Sequence, residues 1–171
     1  MFSPETKETP PSKTLTLAYQ NTSLNIKIET KKSTPEQEKK PKLPQVKDVV
    51  IFPLPSKRDL SPKVGLVVVN QVDDPYFFGW LFEISLPSGQ SFENFIAEIR
   101  KFPTTSLELT NSYESGTLNI RNLPDLIILG QFAGVDDKKK LEEIIKRTKL
   151  EGLPKELSEK IMEKILGSYF S

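Results

Sequence analysis

The sequence predicts an α+β protein, a small sheet or barrel covered by terminal helices. Three observations predict it. Apolar runs of strand character recur from residue 46 to residue 132, and a helical pattern interrupts them once. Prolines, glycines and polar clusters separate most of these runs. Two apolar patterns at helical spacing then close the chain. A length of 171 residues suits one domain of ordinary size plus an appendage.

The first 45 residues carry 8 Lys, 5 Glu and six of the 14 prolines, for a net charge of +3. Residues 3–13 and 31–45 read as disordered or linker sequence, because they hold too little apolar surface to offset the entropy of ordering. Between them lies a period-two pattern. Leu15 and Leu17 alternate with Thr14 and Thr16, and Leu24, Ile26 and Ile28 alternate with Asn25, Lys27 and Glu29. Residues 20–23 are a plausible turn, so 14–29 read as a β-hairpin. A lone hairpin is marginal in water. It must pack on the main body, pair with another chain, or form only on binding. The expected organisation is a flexible arm over 1–45 and a body over 46–171.

The body opens with a buried strand at 46–54, stopped by Pro53 and Pro55. A polar loop follows, SKRDLSPK. Residues 64–70 (VGLVVVN) are a continuous β-branched run, the mark of a strand covered on both sides. Asp73, Asp74 and Pro75 make a turn. Residues 76–86 (YFFGWLFEISL) form the next strand, with Gly79 as a bulge candidate. Phe92, Phe95, Ile96, Ile99 and Phe102 then recur at helical spacing behind Ser91, a suitable N-cap. Weaker strands are expected at 106–110 and 117–121, and a buried one at 125–132 (DLIILGQF). Leu141, Ile144 and Ile145 mark one helix. Leu157, Ile161, Met162, Ile165 and Leu166 mark another, with Pro154 in its first turn.

Composition excludes several chemistries. There is no cysteine, so disulfides, thiolate zinc sites and a cysteine nucleophile are ruled out. There is no histidine, so the commonest general base and metal ligand are missing. Catalysis has to run on Arg, Lys, Asp, Glu, Ser, Thr or Tyr. The net charge of +1 gives no whole-chain electrostatic case for nucleic acid or membrane binding. No run approaches the about 18–20 apolar residues that span a bilayer, and no secretory signal opens the chain. A cytoplasmic protein without membrane contact is the expectation.

No phosphate-binding glycine loop or EF-hand pattern occurs. The acidic pairs Asp73-Asp74 and Asp136-Asp137 read as turn and helix-cap residues. Tyr76, Phe77, Phe78, Trp80 and Phe82 are either core or a base-stacking platform. Lys138, Lys139 and Lys140 are solvated surface or a phosphate contact. Glu159 and Glu163 pair with Lys160 and Lys164 on a solvated helix face. The best polar cluster is Ser56, Lys57, Arg58, Asp59, Ser61 and Lys63, a basic loop between two strong strands and a reasonable phosphate-binding element.

Residues 47–70 (KDVVIFPLPSKRDLSPKVGLVVVN) resemble the opening of the PemK/MazF toxin family. Ile84-Ser85 falls where that family has a hydrophobic residue followed by Thr or Ser. KFPTTSLEL (101–109) and DLIILGQFAGVD (125–136) are similar to two later family segments, and the terminal helix matches in position. The likeness covers about 46–170 in order, with one insertion around the 91–100 helix. It implies a small, strongly bent β-barrel with terminal helices, often a homodimer. It also implies metal-independent cleavage of single-stranded RNA, no cofactor, and control by an antitoxin-like protein that occupies the RNA groove. Lys63 takes the position of the family's arginine, which acts on the scissile phosphate, and Ser85 that of the supporting Thr/Ser. Ser56, Lys57, Arg58 and Ser61 would contact substrate. The family's Arg-Pro is Lys63-Val64 here, and Ala133-Gly134-Val135 stands in place of Arg-Thr-Ile. Lys is a point charge where Arg is a planar fork. The alternative is a catalytically degenerate module of the same fold that binds protein or nucleic acid, with the arm as its working part. A third reading is an assembly protein without a ligand site.

Overall fold

The structure, a computed structural model, describes residues 12–30, 42–54, 62–87 and 89–170. Strands β1 (Ser12–Tyr19) and β2 (Thr22–Glu29) form the hairpin, turning at Gln20, whose φ is 55°. Their alternation is realised side chain by side chain: Leu15, Leu17, Leu24, Ile26 and Ile28 are all fully buried. What buries them is the main body, the first of the three outcomes open to a lone hairpin.

Strand β3 (Asp48–Leu54) pairs antiparallel with β4 (Lys63–Asp73), and β4 pairs antiparallel with β5 (Tyr76–Ser85). After helix α1 (Phe92–Lys101), strand β6 (Thr104–Glu114) pairs with β5 on one side and, in parallel, with β1 on the other. A two-residue β7 (Leu118–Asn119) pairs antiparallel with the start of β5, and β8 (Ile127–Val135) joins β2 to β3. The neighbours run β4-β3-β8-β2-β1-β6-β5, and the β4–β5 pairing returns to the start. Among the described residues the strands therefore close a ring. The expected arm is corrected on this point, because its hairpin fills the gap between β6 and β8.

Two apolar clusters lie on the two faces of the strands. One takes Val64, Leu66, Val68, Trp80, Phe82 and Ile84 and packs them against Ile99 of α1 and the C-terminal helices. The other takes Val50, Phe52, Val67, Val69, Phe77 and Leu81 and is closed by Ile120 and Leu126. This two-sided burial is why residues 64–69 are apolar without alternation. The bulge sits on β4 rather than β5. Val69 pairs with Gly79 and Gln71 with Phe78, so Asn70 is the extra residue. Gly79 is required opposite it, because a Cβ there would overlap the Val68 carbonyl.

Helix α1 starts as expected, with Ser91 Oγ accepting from the Asn94 amide at 3.1 Å. At its other end the buried Lys13 donates from Nζ to the Phe102 carbonyl at 2.6 Å, a cation at a helix C-terminus. Other boundaries differ from expectation. Strand β6 runs well past 110, since pairing with β5 overrides the polar composition of 111–114. The strand expected at 117–121 shrinks to β7. There the Asn119 side chain accepts from the Arg121 amide at 2.9 Å and starts a short 3₁₀ turn, Ile120–Asn122. Helix α2 (Lys138–Ile145) continues as a π-helical turn, Lys146–Leu150, before α3 (Lys155–Tyr169), for which Pro154 stands at the N-cap position.

Candidate functional site

Lys63 opens β4 and Ser85 ends β5, and the two are direct register partners. Cross-strand partners in an antiparallel pair carry their side chains on one face. Period two then places Gly65 and Glu83 next along the same face, again opposite each other. Gly65 projects nothing over Glu83, so Lys63 and Glu83 meet diagonally, with Nζ to Oε1 at 3.2 Å. Both side chains keep part of their surface in water, 30% for Lys63 and 18% for Glu83, so this pair is partly screened.

Strand β6 completes the cluster. Its register against β5 shifts between Glu83 and Ile84, which pair with Asn111 and Leu109 and leave Thr110 as the bulged residue. The bulge turns the Thr110 hydroxyl onto Glu83, where it lies 3.1 Å from the backbone carbonyl and 3.3 Å from Oε1. Tyr113 donates its hydroxyl to Glu83 Oε2 at 3.0 Å. Burial, then the hydrogen bond to Glu83 and its negative charge, push the Tyr113 hydroxyl up to about 12. It therefore stays protonated, and a donor, through the neutral range.

The expected contacts Ser56, Lys57, Arg58 and Ser61 lie outside the described residues. The strand ends that flank their loop are described. Leu54 pairs with Lys63, and the Pro62 carbonyl accepts from the Leu86 amide at 3.0 Å, so both loop anchors sit beside the Lys63–Ser85 pair.

Sequence reasoning missed Glu83, Thr110 and Tyr113. For Glu83 a signal existed: it is the lone charge in an apolar strand, two residues before Ser85 and hence on its face. Thr110 and Tyr113 arrive through the bulged register of β6, which no local pattern announces.

The other groups weighed in the sequence have structural places. Phe77, Trp80 and Phe82 are fully buried and belong to the core. Asp137 caps α2 by accepting from the Lys139 amide at 3.0 Å, and Asp136 accepts from the Asn25 amide and side chain at 3.2 and 2.8 Å. Lys138, Lys139 and Lys140 are exposed on the first turn of α2. Among the described residues no group of three or more acidic or histidine side chains is placed to hold a metal. No helix among them is long and apolar enough to cross a membrane. An open groove of about 620 Å³ lies beside α1, lined by Pro87, Gln90, Asn94, Glu98 and Lys101 among others, and none of the site residues lines it.

The fold and site define a strand-dominated α+β protein with a polar cluster where β4, β5 and β6 meet. No family model, curated protein or solved structure matches the chain.

Proposed function

We propose that this chain is a PemK/MazF-like growth-inhibitor toxin that cleaves single-stranded RNA without a metal. One observation carries the reading: Lys63 and Ser85 are cross-strand partners on one face, beside the anchors of a basic loop. A cation and a hydroxyl so placed can hold one phosphodiester between them. The ring of strands with terminal helices supports the small bent barrel that this reading calls for. Without a metal, the nucleophile is the adjacent ribose 2′-hydroxyl. It attacks phosphorus, the 5′-oxygen leaves, and charge builds on the non-bridging oxygens beside Lys63. The reading carries with it a cytoplasmic setting, a homodimer and an antitoxin-like partner in the RNA groove.

The test is incubation of the purified protein with mixed-sequence single-stranded RNA in EDTA. Fragments with free 5′-hydroxyls are expected, with DNA of the same sequence left intact. Lys63→Ala is expected to lower the rate by about 10²–10³. Intact RNA, or an alanine variant as fast as wild type, defeats the reading.

A second reading has a specific observation in its favour. Lys63 is already engaged by Glu83, which suits a module of this fold that binds nucleic acid or protein without cutting. Retention of RNA with no cleavage in the same assay selects it. A flexible N-terminal arm whose hairpin docks a partner is not carried forward as the working part, because that hairpin belongs to the ring.

A further inference from the structure

A metal-free ribonuclease needs a group to take the 2′-hydroxyl proton, and the usual one is missing, since the chain has no histidine. The groups around the Lys63–Ser85 pair can be counted off. Tyr113 on β6 holds its proton in the neutral range, and Lys63 on β4 offers donors alone. Ser85, Thr110 and Asn111 are donors or weak acceptors. Among the described residues two carboxylates remain, Glu83 and Glu108. Glu108 pairs with Ser85 but is exposed and stands on the far side of it from Lys63. Glu83 is oriented at both oxygens, by Lys63 and Thr110 at Oε1 and by Tyr113 at Oε2.

We propose that Glu83 is the general base of this site, with Thr110 and Tyr113 as the residues that position it. The assignment rests on the ribonuclease reading and goes beyond it. Glu83 and Ser85 are two residues apart on one strand, about 7 Å. A phosphate held by Lys63 and Ser85 thus has its neighbouring ribose facing Glu83. The 2′-hydroxyl proton passes to the Glu83 carboxylate as the O2′–P bond forms. The P–O5′ bond then breaks, the departing oxygen takes a proton from water, and Glu83 returns its own to solvent.

The ion pair supplies the timing. An ammonium has three donors and no fixed plane, so Lys63 can turn from Glu83 to a phosphate oxygen. A carboxylate that loses its cationic neighbour accepts a proton more readily. The incoming phosphate therefore releases the base as it arrives, while Tyr113 and Thr110 keep it aimed.

Glu83→Gln preserves size and an acceptor for Tyr113 but cannot take the proton. The experiment compares wild type, Glu83→Gln and Tyr113→Phe for RNA cleavage across pH and for binding to a DNA oligonucleotide of the same sequence. Glu83→Gln is expected to lower kcat by about 10²–10⁴ with DNA affinity kept, and to lose the acid limb of the kcat/KM profile. Tyr113→Phe removes a donor to the carboxylate, so its acid limb is expected to move to higher pH, a shift that a purely structural role does not produce. It also tests the proposal if Glu83→Gln does not fold. An active wild type whose Glu83→Gln variant cuts equally fast, or whose acid limb Tyr113→Phe leaves in place, overturns the base assignment and leaves the ribonuclease standing. A wild type that binds DNA but cuts no RNA overturns both.

Discussion

Two tyrosines give this protein its sharpest residue-level signature. Tyr113 donates to Glu83, and Tyr169 donates to Glu114 at 2.9 Å. Both hydroxyls are raised above the ordinary 10.0, first by burial and then by the carboxylate each one faces; a hydrogen bond from Asn70 works against the rise at Tyr169. Above pH 10 an unfolded chain sheds these protons while the folded chain keeps them. The folded state then binds more protons, so stability falls as pH rises. The contribution is whole below pH 10 and is lost as pH climbs through about 12. Lys13 works in the opposite sense: burial lowers it from 10.5, so just below that value the unfolded chain holds the extra proton and stability rises with pH. Thermal melts from about pH 9 to about pH 11.5 are expected to show a falling midpoint, flatter in Tyr113→Phe. Equal slopes for the two proteins would mean that Tyr113 does not titrate with folding.

At the scale of elements, the hairpin and the bulges decide what the sequence could reveal. Period-two alternation made β1 and β2 legible, and helical spacing with a serine cap made α1 legible, because those signals are local. The hairpin's position was not legible, since it depends on a parallel partner, β6, far along the chain. The site pair is a subtler case. Asp73 pairs with Tyr76, and counting back from that turn without interruption puts Leu86 opposite Lys63. The extra residue Asn70 shifts the register by one and brings Ser85 there instead. A feature of β4, enforced by a glycine in β5, thus puts Lys63 and Ser85 on one face. The hairpin also carries weight in stability. Its five fully buried aliphatic side chains contribute about 1.5–3 kcal/mol each. Together they rival the about 5–15 kcal/mol that holds a whole domain folded. Removing them also exposes edges on β6 and β8. A fragment starting at residue 42 is therefore expected to be insoluble or to lack a cooperative melt by circular dichroism. A soluble, cooperatively folding fragment would show that the ring closes without β1 and β2.

Over the whole molecule, the charge distribution limits how the proposed ribonuclease would hold RNA. Residues 46–135 carry a net charge of −3, and the chain as a whole only +1. No extended field pulls in a polyanion, so affinity has to come from a few close contacts. On the proposed reading Lys63 supplies one, and the expected contacts Lys57 and Arg58 bring the number to about three. Each phosphate neutralised on a single strand contributes about −0.7 to the slope of log K against log salt. The expected slope is therefore about −2, far shallower than that of a basic nucleic-acid-binding domain, and Lys63→Ala is expected to make it shallower by about 0.7. Fluorescence anisotropy with a labelled DNA oligonucleotide over a salt series measures both. A slope steeper than about −4 needs six or more phosphate contacts. Such a number is out of reach of this cluster and would move the binding surface to the lysines of the C-terminal helices. A shallow slope that Lys63→Ala leaves unchanged would free Lys63 from any contact with phosphate, and with it would go the reason for locating the chemistry between β4 and β5.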